Sequence, residues 1–158
     1  MLAARASSMR TLAIDLGTRR VGLALSDAAA QIATPYGVLT ITSPQHAIEE
    51  CLRVIRLEGV ERLVVGVPLN MDESSGSQAK KAIAWGRDLA ARAALPLALV
   101  DERLSSFAAE QRLADRKRSG EKLTRGKKKK QLDAVAAAMF LQQFMDGELP
   151  ALDPQQPE

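Results

Sequence analysis

Cysteine and histidine are almost missing from this chain, with one of each in 158 residues. A lone Cys51 excludes an intrachain disulfide and any cysteine-cluster metal site. It falls in an apolar helical pattern, reads as a buried core thiol, and fits a reducing compartment, the cytoplasm. His46 falls in the first turn of an expected helix, far from the motifs below, and reads as a surface residue rather than a general base. Aromatics are equally scarce at 3%. The core must therefore be built from Leu, Val, Ile and Ala, Trp85 is expected in that core, and stacking recognition of single strands is not expected. No apolar run reaches the length of a membrane span, and residues 1–10 lack the apolar core of a signal peptide.

What is present is one domain's worth of chain. Hydrophobic residues make up 46% and charged residues 26%, with a net charge of +3. The basic charge is concentrated: between Arg112 and Lys130 there are ten Lys or Arg and only two acids, Asp115 and Glu121. Such a cluster points to a polyanion more than the total charge does. Short β-prone runs over 11–15, 21–26 and 36–42 predict three strands, the first two joined as a hairpin by the Gly17–Arg20 turn. Ser43 and Pro44 have the chemistry of an N-cap and first helical position, so a helix is expected over 44–57. Residues 63–67 and 97–100 read as strands buried on both faces. Helices are expected to about Ala94, from Ser105 or Ser106 to about Arg116, and over 128–145. The order predicts an α/β protein with a mixed five-stranded sheet and helices on both faces. Residues 1–8 are expected to be a disordered extension, 9–146 a single domain, and 147–158 a disordered tail.

Acids fall at strand and helix ends. Asp15 ends the first strand, Asp101 and Glu102 end the last, and Asp133 opens the last helix. Sites in open α/β sheets form where strands end, and an acid buried there must be paired or metal-bound. Carboxylate oxygens suit hard cations such as Mg²⁺ or Mn²⁺, and two such ions about 4 Å apart are a common device for phosphodiester hydrolysis. Taken one at a time, the same acids read more readily as a turn former, a salt-bridge partner and a helix cap than as ligands.

Whole segments are more specific. Ala13-Ile-Asp-Leu-Gly-Thr-Arg-Arg-Val-Gly-Leu-Ala-Leu-Ser-Asp27 resembles the opening motif of the YqgF family, relatives of the Holliday-junction resolvase RuvC. Val65-Gly-Val-Pro-Leu-Asn-Met71 with Gly76-Ser-Gln78 resembles its second motif. Asp101-Glu-Arg-Leu-Ser-Ser106 resembles the third, and Lys127-Lys-Lys-Lys-Gln-Leu-Asp-Ala-Val-Ala-Ala137 the last. The resemblance spans roughly residues 11–145. It implies a ribonuclease H-like fold and a metal site formed by Asp15, an acid of the Asp101–Glu102 pair, and Asp133. Unlike RuvC itself, the chain ends its fourth strand in Val67-Pro68 rather than an acid. The second ligand must then come from Asp101 or Glu102, and the longer arm of Glu102 favours it. Glu73 stands where the family tends to have Gly.

The implied activity is metal-dependent phosphodiester hydrolysis that matures the 5′ end of 16S ribosomal RNA, with RNA as partner. Holliday-junction resolution on structured DNA is the alternative, and a non-catalytic RNA-binding assembly factor is the second. The expected substrate-gripping residues are Arg20, Asn70, Ser77, Gln78, Arg103 and the run Lys127, Lys128, Lys129 and Lys130; phosphate contacts of this kind position a nucleic acid without reading its sequence. Arg20 reads equally well as a hairpin surface charge. Ser26 and Asp27 are expected either to bond within the sheet-end network or to make a turn. A Walker-type phosphate loop at Gly120–Lys128 is rejected, because Lys128 stands where a magnesium-binding hydroxyl is needed. With no coiled-coil seam, a monomer or weak homodimer is expected.

Overall fold

The computed structural model describes residues 8–69, 76–104 and 125–152, the stretch 125–132 by its backbone alone. Six strands form one sheet in the order β3-β2-β1-β4-β5-β6. β1 (Thr11–Leu16), β2 (Arg20–Ser26) and β3 (Ala33–Thr40) make an antiparallel meander. Helix α1 (Pro44–Glu58) leads to β4 (Arg62–Val67), which pairs parallel with β1. Helix α2 (Ser77–Ala93) leads to β5 (Leu97–Asp101), parallel to β4, and a 3-10 turn (Glu102–Leu104) follows. The last helix, α3 (Arg125–Met145), ends in a turn that delivers β6 (Ala151–Leu152) antiparallel to β5.

Side-chain alternation along each strand divides the sheet into two faces. On one face Leu12, Ile14, Val21, Leu23, Leu63, Val65, Val67 and Leu99 pack against Ile48 and Val54 of α1 and Trp85 and Leu89 of α2. Trp85 is buried and donates its indole N–H to the Pro44 carbonyl at 3.0 Å, tying α2 to the start of α1. Each large aliphatic side chain removed from water on this face contributes about 1.5–3 kcal/mol. On the other face the residues are small: Ala13, Ala24, Val64 and Val100 meet Ala137, Ala138, Phe140 and Leu141 of α3. A floor of alanine, valine and glycine lets a single long helix approach the sheet closely.

The start of α1 follows its capping chemistry. Ser43 is extended, its hydroxyl accepts from the His46 N–H, and Pro44 takes the first turn. His46 is half-buried; its Nδ1 accepts from the Thr42 N–H and its Nε2 lies 3.7 Å from Glu50.

Two differences from the sequence reading concern the C-terminal side. The sheet has six strands, not five, because Ala151 and Leu152 pair with Val100 and Leu99. Residues 147–152, expected in the disordered tail, form a turn and this strand, with Leu149 buried. Proline flanks a strand of only two residues, and no run of that length carries a readable period. The helix expected from Ser105 or Ser106, the extension over 1–7 and the segment 153–158 lie outside the described residues.

Candidate active site

Alternation decides which acids meet. In β1, Ala13 faces α3 and Ile14 faces α1 and α2, so Asp15 returns to the α3 face. In β5, Leu99 faces α1 and α2 and Val100 faces α3. Asp101 therefore points away from α3, and Glu102, one step beyond the strand, points toward it. Asp15 and Glu102 come from the C-terminal ends of parallel strands separated only by β4, where an open sheet places its sites.

The two carboxyls share a hydrogen bond. Burial, the Glu102 charge and its hydrogen bond, and the Asp133 charge hold the Asp15 carboxyl well above the usual carboxylate range. Burial also raises Glu102, partly offset by the hydrogen bond from Asp15 and reinforced by the Asp101 charge. Bringing two carboxyls together in a place with little water makes it costly to charge both, and the effect falls most heavily on Asp15.

Asp133 approaches from α3, near enough for its charge to act on Asp15. Its carboxylate accepts from Arg20 Nε at 3.0 Å, with both side chains half-buried. Asp101 has a separate task. Buried to 3% exposure, it accepts from the Arg103 backbone N–H and Nε at 3.0 Å and from Nη2 at 2.8 Å. That edge of the Arg103 guanidinium, expected to grip substrate, is closed on the end of its own strand.

Among the described residues no three acids already form a ready-made metal shell, and Asp133 is occupied by Arg20. The donor set nonetheless fits a hard divalent cation. Its members are all carboxylate oxygens, and a cation would offset the cost of charging Asp15 and Glu102 side by side.

Ser77 and Gln78 are exposed at the start of α2, after the end of β4. Lys127, Lys128, Lys129 and Lys130 fall in the opening turns of α3, ahead of Asp133, but their side chains, like Asn70 and Glu73, lie outside the described residues. Of the two alternatives for Ser26 and Asp27 the structure shows the turn, at the end of β2 opposite the acids. The Ser26 hydroxyl accepts from Thr11 N–H and donates to the Asp27 carbonyl, while the Asp27 carboxylate accepts from the Gln31 and Ile32 N–H groups.

Residues 9–147 match the model of the RuvX family, described as Holliday junction resolvase. The chain belongs to the RuvX family. This is the YqgF family under its other name. Two relatives carry the name "Putative pre-16S rRNA nuclease". The one from Chloroflexus aurantiacus is 40% identical over 135 residues, covering 85% of each chain. The one from an Anaeromyxobacter species is 41% identical over 139 residues, covering 88% of this chain and 98% of the relative. In fold, the RuvX chain is similar to Thermus thermophilus RuvC, with a TM-score of 0.54 at 15% identity over 91% of this chain and 100% of that one. A structure of T. thermophilus RuvC in complex with Holliday junction substrate gives a TM-score of 0.51 at 17% identity over 91% and 99%.

Two glycines position the acids of this RuvX site and were not singled out by sequence. A Cβ on Gly22 would overlap the Asp133 carbonyl, so Gly22, paired across the hairpin with Asp15, is what lets α3 bring Asp133 in. A Cβ on Gly66 would stand 3.1 Å from Glu102 Oε2 and 3.1 Å from the Phe140 ring. A glycine inside an otherwise regular strand marks such close approach, and that signal was available. Gln142 was also missed. Its amide accepts from Ala33 N–H and donates to the Gln31 carbonyl, both at 2.9 Å, fastening α3 to the β2–β3 connection.

Proposed function

We propose that this chain is a divalent-metal-dependent nuclease that hydrolyses phosphodiester bonds of structured RNA, maturing the 5′ end of pre-16S ribosomal RNA in the cytoplasm. The observation that carries the reading is the half-buried Asp15–Glu102 pair, two carboxyls brought together at the ends of β1 and β5, with Asp133 of α3 close enough for its charge to act on Asp15. Asp15, Glu102 and Asp133 would hold Mg²⁺ or Mn²⁺ ions, which supply a nucleophilic water at neutral pH and offset charge on the phosphate. The chain's own part is to present its carboxylates from rigid elements and hold the strand. Arg20, Ser77, Gln78, Asn70 and Lys127–Lys130 are the residues we assign to phosphate and backbone contact. Asp101 and Arg103 are assigned to holding the end of β5 in place.

A second reading, resolution of four-way DNA junctions, is favoured by the description of the family and by the RuvC-like fold. The test is cleavage of end-labelled RNA spanning the immature 5′ end of 16S ribosomal RNA, with a synthetic four-way junction in parallel, in Mn²⁺ or Mg²⁺. RNA cuts that vanish in Asp15→Asn support the proposal. Paired cuts in the junction alone replace it with the second reading. Salt-sensitive binding without any cut sinks both and leaves a non-catalytic RNA-binding factor.

A further inference from the structure

Asp133 is fixed at its backbone by the close approach to Gly22, so only its side chain is free to reorient. Arg20 is fixed likewise: it opens β2, and its carbonyl accepts from Gly17 N–H at 2.9 Å to close the hairpin. Between these two anchored residues runs a single bond, from Arg20 Nε to Asp133 Oδ2. Among the described residues, the two terminal nitrogens of the guanidinium make no further hydrogen bond. The side chains keep 29% and 31% of their surface in solvent, so ligands can reach both.

Resting on the nuclease reading above, we propose that Arg20 is a positioning residue that occupies Asp133 in place of a cation when the site is empty and turns to a substrate phosphate when it fills. A guanidinium and a divalent cation compete for the same carboxylate lone pairs. A one-point, half-exposed ion pair is weak, so it can occupy Asp133 in an empty site and still yield to a divalent ion. The terminal N–H groups left over are the fork that a phosphate accepts. Arg20 therefore opposes metal binding in the absence of nucleic acid and stops opposing it once a phosphate takes the guanidinium. By reciprocity, metal and nucleic acid favour each other's binding through this residue.

The sign of the effect separates this role from its rivals. Mn²⁺ binding, followed by electron paramagnetic resonance of the free ion, should be about 2–5-fold tighter in Arg20→Gln than in the wild type, the range an exposed ion pair allows. Arg19→Gln removes an equal charge from the exposed part of the same hairpin and should change nothing. In an Asp133→Asn background, itself weaker for Mn²⁺, the Arg20 substitution should have no further effect. In EDTA, Arg20→Gln should bind a fluorescein-labelled RNA stem-loop more weakly, with a salt slope shallower by about one. Equal or weaker Mn²⁺ binding by Arg20→Gln, or tightening that persists without Asp133, overturns the inference while leaving the metal site intact. A wild type that takes up no Mn²⁺ overturns the nuclease reading and this inference together.

Discussion

Asp101 and Glu102 are adjacent in the chain and face opposite sides of the sheet. One closes on Arg103, the other meets Asp15. In sequence the longer arm of Glu102 favours it, whereas the structure supplies a different reason, the parity of β5. That parity was legible, since residues 97–101 alternate between the faces, but it needs one fixed point, and the run reads as buried on both sides. The two acids should separate on mutation. Glu102→Gln should leave the metal-free melting temperature at pH 8 unchanged or somewhat higher and lower turnover by roughly a hundredfold or more. Asp101→Asn removes the charge on which a largely buried arginine is closed and should cost about 2–4 kcal/mol of stability, measured by urea unfolding, with activity lost only in proportion to unfolding.

Among the elements, the hairpin, the parallel strands and all three described helices were readable within a few residues, because each carries a strong local signal: a turn, a β-branched run, or a cap. Contact between elements was not readable. The distance from α3 to the sheet is set by Gly22 and Gly66, and a glycine's missing side chain leaves no period to detect. Gly22→Ala should push α3 outward, costing about 2–3 kcal/mol as overpacking does and moving Asp133 away from Asp15. Cleavage should then fall by more than the stability loss explains. Gly37→Ala is the control: nothing lies within 4 Å of its would-be Cβ, and melting and activity should hardly change.

The whole molecule's stability should depend on pH through the same acids that form the site. Asp15 and Glu102 bind protons more tightly folded than unfolded. Their contribution to folding is therefore full below the ordinary carboxylate range and is lost as pH rises through their raised values. Asp27 and Glu50, both lowered, act in the opposite direction, so the informative quantity is the difference between melts with and without Mg²⁺. A cation offsets the repulsion between the two carboxylates and competes with protons for the same oxygens, so it should raise the melting temperature more at pH 8 than at pH 5. At about a hundredfold excess over Kd the gain is about 2.7 kcal/mol, or roughly 5–10 °C for a chain of this size. Asp15→Asn should melt higher than wild type without metal at pH 8 and lose most of the Mg²⁺ response. A protein that melts identically with and without Mg²⁺ at pH 8 would argue against the metal site.

The Gln142 bridge has a practical consequence. The Ala33 N–H donates to a side chain of α3, so its proton becomes exchangeable with deuterium only when that helix lifts from the sheet or its amide lets go. A single backbone amide on the far side of the β2–β3 connection therefore serves as a natural gauge of how firmly the helix carrying Asp133 is seated, readable without any label.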